Sequence, residues 1–207
     1  MIRIENVDVY GWIAAIRGAR NPMNSWNQSD TSYGTGEDSV EIGTRDLKLL
    51  RNLANAGPDH GKFLRMITVS MDITAPLYWW KEADTYKVGT VANSCSTMHK
   101  IHAKEFTLDD FSHDHLSDFS KVLLEKIIVV LNGFRTSYLI SKDKNDWWQM
   151  IQLLPSSYNQ RRTVLLNYAV LKAMYHARKN HKLDEWREFC RWVESLPYSE
   201  LITGDIA

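Results

Sequence analysis

Alternation of apolar and polar positions is sharpest over residues 65–74. Ile67, Val69, Met71 and Ile73 share one face, and Thr68, Ser70, Asp72 and Thr74 share the other, which is the period of a half-buried strand. The polar face is either solvated or lines a site. Pro76 has no N–H to give a ladder, so the strand is expected to stop at Ala75-Pro76. Residues 2–10 alternate more loosely and read as a first or edge strand, and residues 163–166 form a short apolar strand candidate. Helical spacing predicts a short helix over 13–20 and another over 46–56, where Leu47, Leu50 and Ala54 share a face and Gly57-Pro58 ends it. Residues 77–87 are compatible with a helix. The longest predicted helix covers 116–139, with Phe119, Leu123, Ile127, Val130 and Leu131 as its apolar stripe and Ser117 as its cap. A short helix over 145–153 stops before Pro155. Asn167 is placed to cap a helix carrying Val170, Leu171, Met174 and Arg178. A last helix over 184–194 turns Trp186, Phe189, Cys190 and Val193 inward. Residues 21–44, rich in Asn, Ser, Thr, Gly and Asp, read as a long polar loop. The expected fold class is α+β, a helix-rich single domain over residues 1–207 around a small antiparallel or mixed sheet.

Charge changes the picture by exclusion. Among 207 residues there are 25 basic and 25 acidic side chains, so the formal net charge is zero. A nucleic-acid backbone or an anionic membrane therefore exerts no long-range pull on the chain. No apolar run approaches the roughly 20 residues of a spanning helix. The start, MIRIENVDVYGW, carries charges throughout and has no signal-like apolar stretch. Cys95 and Cys190 have no framework spacing, and a reduced, cytoplasmic setting is expected. Eight tryptophans are many for this length. Two adjacent pairs stand out, Trp79-Trp80 and Trp147-Trp148, because neighbours in a regular element point different ways.

The candidate chemistry lies in a polar run and a few cations. Lys81, Glu82, Asp84, Thr85, Lys87, Thr90, Asn93 and Ser96 follow the Ala-Pro stop with few large apolar residues between them. That is either a solvated loop or a polar pocket wall at a strand end. Neither glycine-rich phosphate loop is present. His99-x-x-His102 and His113-x-His115 have metal-ligand spacing but no completing Cys or carboxylate, and no metal is assigned. Cys95 has no identifiable base beside it. Arg161-Arg162 precedes a strand and Arg178 ends the helix that follows. Arginine grips phosphate with two parallel hydrogen bonds, and a strand–helix unit could bring Arg161 and Arg178 to one phosphate.

The order of these pieces resembles the flavin-dependent thymidylate synthases. That family has a strand ending in Ala-Pro, an aromatic and charged helix, and a signature R-H-R-x-x-S-x-N-E-x-S-x-R-Y. The parallel here is Ala75-Pro76-Leu77-Tyr78, then Lys81-Glu82, then residues 85–90, then residues 93–98. Residues 14–20, AAIRGAR, resemble an early Val-Arg-Ala-Ala-Arg segment. Leu154-Pro155, Arg161, Asn167 and Arg178 fall at the family's relative spacings without a gap, and His181 and Trp186 echo a downstream R-x-x-x-H-x-x-W with the spacing shifted by about a residue each. The resemblance implies that Arg161, Arg178 and Lys87 hold a pyrimidine deoxynucleotide, with Glu82 and Thr90 as further contacts. It implies that Asn167, His181 and Tyr86 lie at FAD. It further implies methylenetetrahydrofolate as the one-carbon donor to uracil C5, and a homotetramer with sites built from several chains. One of the tryptophan pairs would then sit at a subunit contact.

The departures from the signature set a second expectation beside the first. Thr85-Tyr86-Lys87 stands where the family has Arg-His-Arg, and only Lys87 keeps a positive charge. Thr90 keeps a hydroxyl, Asn93 lies at or beside the family's Glu, and Thr97-Met98 replaces Arg-Tyr. A family His falls near Met66, while His60 matches an earlier one. Each charge-assisted contact contributes about 1.5–3 kcal/mol, so losing two or three weakens FAD binding by several kcal/mol. One reading is an enzyme that passes a one-carbon unit to uracil with a reduced flavin. The other is a nucleotide-binding or partner-binding protein that has lost the flavin chemistry.

Overall fold

The computed structural model describes residues 1–34 and 40–204; residues 35–39, the middle of the polar loop expected over 21–44, lie outside the described residues. The chain runs through β1 (Arg3–Tyr10), α1 (Trp12–Arg20), β2 (Ser32–Tyr33), β3 (Val40–Glu41) and α2 (Thr44–Asn55). It continues through β4 (Thr68–Pro76), α3 (Leu77–Ala83), β5 (Val91–Ser94) and α4 (Thr97–Lys100). The long α5 (Asp118–Ser141) and α6 (Lys144–Leu153) follow, then β6 (Asn159–Asn167), α7 (Tyr168–Arg178), α8 (Asp184–Glu194) and α9 (Glu200–Thr203). This is a helix-rich α+β fold with a small antiparallel sheet, strand order β1-β4-β6-β5. A separate two-stranded ladder pairs Ser32 with Glu41 and Tyr33 with Val40. It replaces part of the expected loop, as do 3-10 turns at Asn21–Met23 and Trp26–Gln28.

The period-2 reading of β4 holds residue by residue. Ile67, Val69, Met71 and Ile73 are all buried, and the strand ends at Pro76. The strand starts at Thr68 because residues 61–66 form a 3-10 helix. β6 is longer than the apolar 163–166 run, since its first residues are polar and carry no hydrophobic signal.

The chain divides into two compact units. The first contains residues 1–5, 72–85 and 92–163. In it α5 packs on α6 around Ile101, Phe106, Phe111, Leu124, Ile128, Leu131 and Met150. Ser117 caps α5 as expected, accepting from the Ser120 N–H at 3.3 Å. The buried stripe differs from the expected one: Leu124, Ile128 and Leu131 face inward, while Phe119, Leu123 and Val130 are exposed, Phe119 to 74%. The helix is apolar on more than one side, so the 3.6-residue period alone does not choose the buried face. Trp79 and Trp80 are both buried, edge to face at 4.9 Å, and the Trp80 indole N–H donates to the Gln160 carbonyl at 2.9 Å. That pair is internal to the chain, whereas Trp148 stays partly exposed.

The second unit contains residues 6–71, 86–91 and the described residues from 164 on. Here α1 packs on α2, and α7 on both α8 and α9. Trp186, Phe189, Cys190 and Val193 of α8 are buried as expected, though α9 follows α8 in the chain. Burial pushes the Cys190 thiol up to about 11, which makes it an inert core residue. Gly11 enters α1 at φ +94°, and an added Cβ there would run into the Met66 carbonyl oxygen, so only glycine fits.

One buried ion pair ties the residue 20–31 segment to α2. Arg20 Nε donates to Asp46 at 2.6 Å, with both side chains almost wholly buried. The Arg20 fork also donates to the carbonyls of Ser25 and Gln28, each at 3.2 Å. Asp46 accepts from Ser29 Oγ at 2.7 Å, Thr31 Oγ1 at 2.6 Å and the N–H groups of Asp30 and Thr31. Burial pushes the Asp46 pKa up, but bonds from Thr31, Ser29 and Arg20 outweigh it and hold it down to about 2, against an ordinary 3.8. The folded state thus binds fewer protons than the unfolded chain between those values. Asp46 contributes its full stabilisation above pH 3.8, and that contribution is lost as pH falls through about 2. Acid unfolding curves should show this loss, and the Asp46→Asn variant should lack it. At neutral pH the same variant, which leaves Arg20 buried without its carboxylate, should lose about 3–5 kcal/mol in urea unfolding.

Candidate functional site

β6 ends and α7 begins at Asn167, whose side-chain oxygen accepts from the Val170 N–H at 3.0 Å. A polar cap of this kind contributes about 1 kcal/mol and sets where the helix starts. The eleven residues of α7 then deliver Arg178 to its C-terminal end, where a cation complements the helix dipole. There Arg178 Nε donates to the Tyr86 hydroxyl at 3.0 Å. Its guanidinium lies 5.6 Å from the Tyr86 ring centroid and 5.0 Å from that of Trp186. The two rings meet edge to face at 6.1 Å. Cation–π contacts of this kind contribute about 0.5–2 kcal/mol each, and two of them restrict how the fork can turn.

His181 stands on the same wall. Its N–H donates to the Arg178 carbonyl at 2.9 Å and its ring lies 6.3 Å from Trp186. His181 Nδ1 accepts from the Leu183 N–H at 3.2 Å, which assigns the neutral ring's proton to Nε2. The Tyr86–Val91 segment closes on itself beside α7. Thr90 Oγ1 donates to the Tyr86 carbonyl at 2.9 Å, and the Thr90 N–H to the Lys87 carbonyl at 3.2 Å. Gly89 sits at φ +81°, and a Cβ there would lie 3.2 Å from Val170 and 3.4 Å from the Asn167 amide nitrogen. The loop can lean on the helix start because that residue has no side chain. Lys87 is exposed and makes no ion pair among the described residues.

Six of the eight expected site residues therefore gather in the second unit: Tyr86, Lys87, Thr90, Asn167, Arg178 and His181. Arg161 and Glu82 belong to the first. Arg161 Nη2 donates to Asp72 at 2.6 Å, and Thr163 Oγ1 donates to the other Asp72 oxygen at 2.5 Å. That bond to Asp72 raises the Arg161 pKa further, so the side chain is always charged. Asp72 comes from the polar face of β4, which is used for more than solvation. Glu82 is half-buried on α3. Arg162 is held by Asp84 at 2.8 Å and lies flat over Trp80, 4.2 Å from the ring centroid. Cys95 is exposed. Among the described residues no three His, Cys, Asp or Glu side chains gather as a metal-holding group.

Two contacts were not legible beforehand. Asp72 as the partner of Arg161 lies 89 residues away in sequence and is signalled only by the strand alternation. Trp186 reads as core from its helical spacing, and it is core, yet its ring also lies against the Arg178 guanidinium.

No family profile matches the chain, and no curated protein matches it. Solved structures do. A flavin-dependent thymidylate synthase, ThyX, of Helicobacter pylori complexed with FAD and dUMP is similar at TM-score 0.70 and 14% identity, over 99% of this chain and 100% of that one. A second structure of ThyX from Helicobacter pylori with FAD and dUMP gives TM-score 0.70 and 14% identity over 98% of both chains. A UMP/dUMP methylase, PolB, of Streptomyces cacaoi bound with 5-Br dUMP gives TM-score 0.64 and 14% identity, over 98% of this chain and 95% of that one. At that identity the likeness is one of fold: over nearly its whole length the chain has the helix-rich α+β fold of the flavin-dependent thymidylate synthases.

Proposed function

We propose that this protein binds a pyrimidine deoxynucleoside monophosphate, with Arg178 as the principal phosphate ligand. The observation that carries the reading is the guanidinium of Arg178, fixed by the Tyr86 hydroxyl and two aromatic rings. A plane-restricted, permanently charged fork is suited to phosphate, because little rotamer freedom remains to be lost on binding. Lys87, exposed on the adjacent loop, adds a second cation, and the Thr90 hydroxyl lies on the same turn. The solved structures of like fold hold dUMP or 5-Br dUMP, which supports the choice of ligand class. Arg161 and Glu82, in the first unit, are nucleotide contacts by the resemblance alone, and Arg161 keeps N–H groups that Asp72 does not engage. Assembly as a homo-oligomer, a tetramer by resemblance, belongs to the same proposal.

FAD is the cofactor implied by the resemblance, and the residues here fit it poorly. Tyr86 stands at the histidine of the signature, and its hydroxyl is taken by Arg178. Asn167 is occupied as the α7 cap, beneath Gly89. Lys87 is the remaining cation of the Arg-His-Arg triplet. No step through a flavin is derived, and the function proposed is nucleotide binding. The alternative is one-carbon transfer from methylenetetrahydrofolate to uracil C5 with FAD; it is favoured by a whole-length fold match to structures that hold FAD together with dUMP.

Calorimetric titration with dUMP checks the site. Arg178→Ala should weaken binding by about 10- to 150-fold, the loss of one charge-assisted contact. Arg178→Lys should recover little of it, since the fork geometry is lost. Arg161→Ala tests the second arginine separately; unchanged affinity would remove Arg161 from the site. Colour decides between the two readings. The purified protein should be colourless and should not take up added FAD at micromolar concentrations. A yellow protein with stoichiometric flavin would move the assignment to the flavin-dependent reaction.

A further inference from the structure

A pocket lies wholly within the first unit, and none of its lining residues is assigned a role above. It encloses about 290 Å³ and is lined by His99, His102, Tyr138, Lys142, Lys144 and Trp147, with Met98 at its edge. That volume is close to the lower end of small-molecule sites. Three elements build it: α4, the C-terminal end of α5 and the first turns of α6.

The walls are set by specific contacts. Ser96 caps α4 by accepting from the His99 N–H at 2.9 Å. The Trp147 indole N–H donates to the Met98 carbonyl at 2.9 Å, which orients that ring. His102 meets Tyr138 edge to face at 4.9 Å, and Arg135 Nε holds the His102 carbonyl at 3.0 Å. Lys142 takes the left-handed position that ends α5, at φ +57°, and its ammonium lies 5.6 Å from the Tyr138 centroid. Lys144 begins α6, 5.8 Å from the Trp148 ring.

Two features of this pocket are unexplained by folding. First, His102 Nδ1 is buried and has no hydrogen-bond partner among the described residues. The pocket wall thus holds an unsatisfied ring nitrogen, although that atom is itself closed to the pocket. Second, Lys142 and Lys144 converge on the pocket without an ion pair among the described residues. The nearby carboxylates are engaged elsewhere: Asp143 accepts from the Asn145 N–H, and Asp146 from the hydroxyls of Ser137 and Ser141. Two lysines without an ion pair among the described residues, a histidine pair and two aromatic rings are complementary to a flat aromatic group that carries a phosphate.

We propose that this pocket is a second ligand site, which takes a nucleoside monophosphate. The base lies against Trp147 and Tyr138, and the phosphate meets Lys142 and Lys144. The proposal is independent of the nucleotide site at Arg178. The His99-x-x-His102 spacing thus serves a pocket wall of two histidines on one short helical segment.

The test uses 5′-AMP, whose purine sets it apart from the pyrimidine nucleotides of the Arg178 site. Chemical shifts of ¹³C-methyl methionine report location. AMP should saturably shift the Met98 methyl, and the Lys142→Glu/Lys144→Glu double variant, which changes two exposed side chains, should weaken that binding at least tenfold. Arg178→Ala should leave it unchanged. No shift at Met98, or equal affinity in the double variant, would overturn the proposal. Inorganic phosphate that displaces AMP at equal concentration would overturn its nucleotide part, because the rings would then contribute nothing.

Discussion

Asn167 is the constraint on which the candidate nucleotide site depends. It is the last residue of β6, the cap of α7 and the surface on which the Tyr86–Val91 loop leans at Gly89. Its side-chain oxygen fixes the first turn of α7, and the register of that helix carries Arg178 to Tyr86 and Trp186 three turns on. An apolar residue at 167 would leave the Val170 N–H without its cap and free the helix start to shift. Without glycine at 89 the loop could not come as close to it. Strand end, helix start and loop therefore form one local device, and the arginine is the output of that device.

Carboxylates decide what the arginines can do. Arg20 is enclosed with Asp46 and is structural, because every group of that pair faces protein. Arg162 lies between Asp84 and the Trp80 ring and anchors α3 to β6 within the first unit. Arg161 shares Asp72 with Thr163 and keeps an exposed guanidinium. Arg178 is held by the Tyr86 hydroxyl and lies against the Tyr86 and Trp186 rings. Restraint by two rings and a hydroxyl limits how the fork can turn, which is what suits it to a phosphate.

Most of the fold was legible where one physical signal dominated. Alternation placed β4 and its buried face, Pro76 ended it, and Asn167 and Ser117 marked two helix starts. The signal failed where two faces competed. α5 carries apolar residues around much of its circumference, so Leu124 and Ile128 took the buried positions that Leu123 and Val130 were expected to hold. The short β2–β3 ladder and the polar start of β6 escaped because neither has a hydrophobic period. At the candidate site, residue type and position proposed Arg178 as a phosphate ligand, whereas Asn167 and His181 entered as site residues only through the family resemblance. Their immediate partners depend on packing between segments about 90 residues apart, Tyr86 with Arg178 and Asp72 with Arg161. Spacing within one segment carries no trace of such contacts.

The fold is that of the flavin-dependent thymidylate synthases, while Thr85-Tyr86-Lys87 stands where the resemblance would place Arg-His-Arg. Nucleotide binding without flavin chemistry is what we propose for this chain. A crystal structure of the protein grown with dUMP tests that assignment most directly. The account predicts phosphate oxygens within about 3 Å of the Arg178 guanidinium, a charge-assisted hydrogen bond. A nucleotide bound away from Arg178, or density for dUMP absent at saturating concentration, would contradict it.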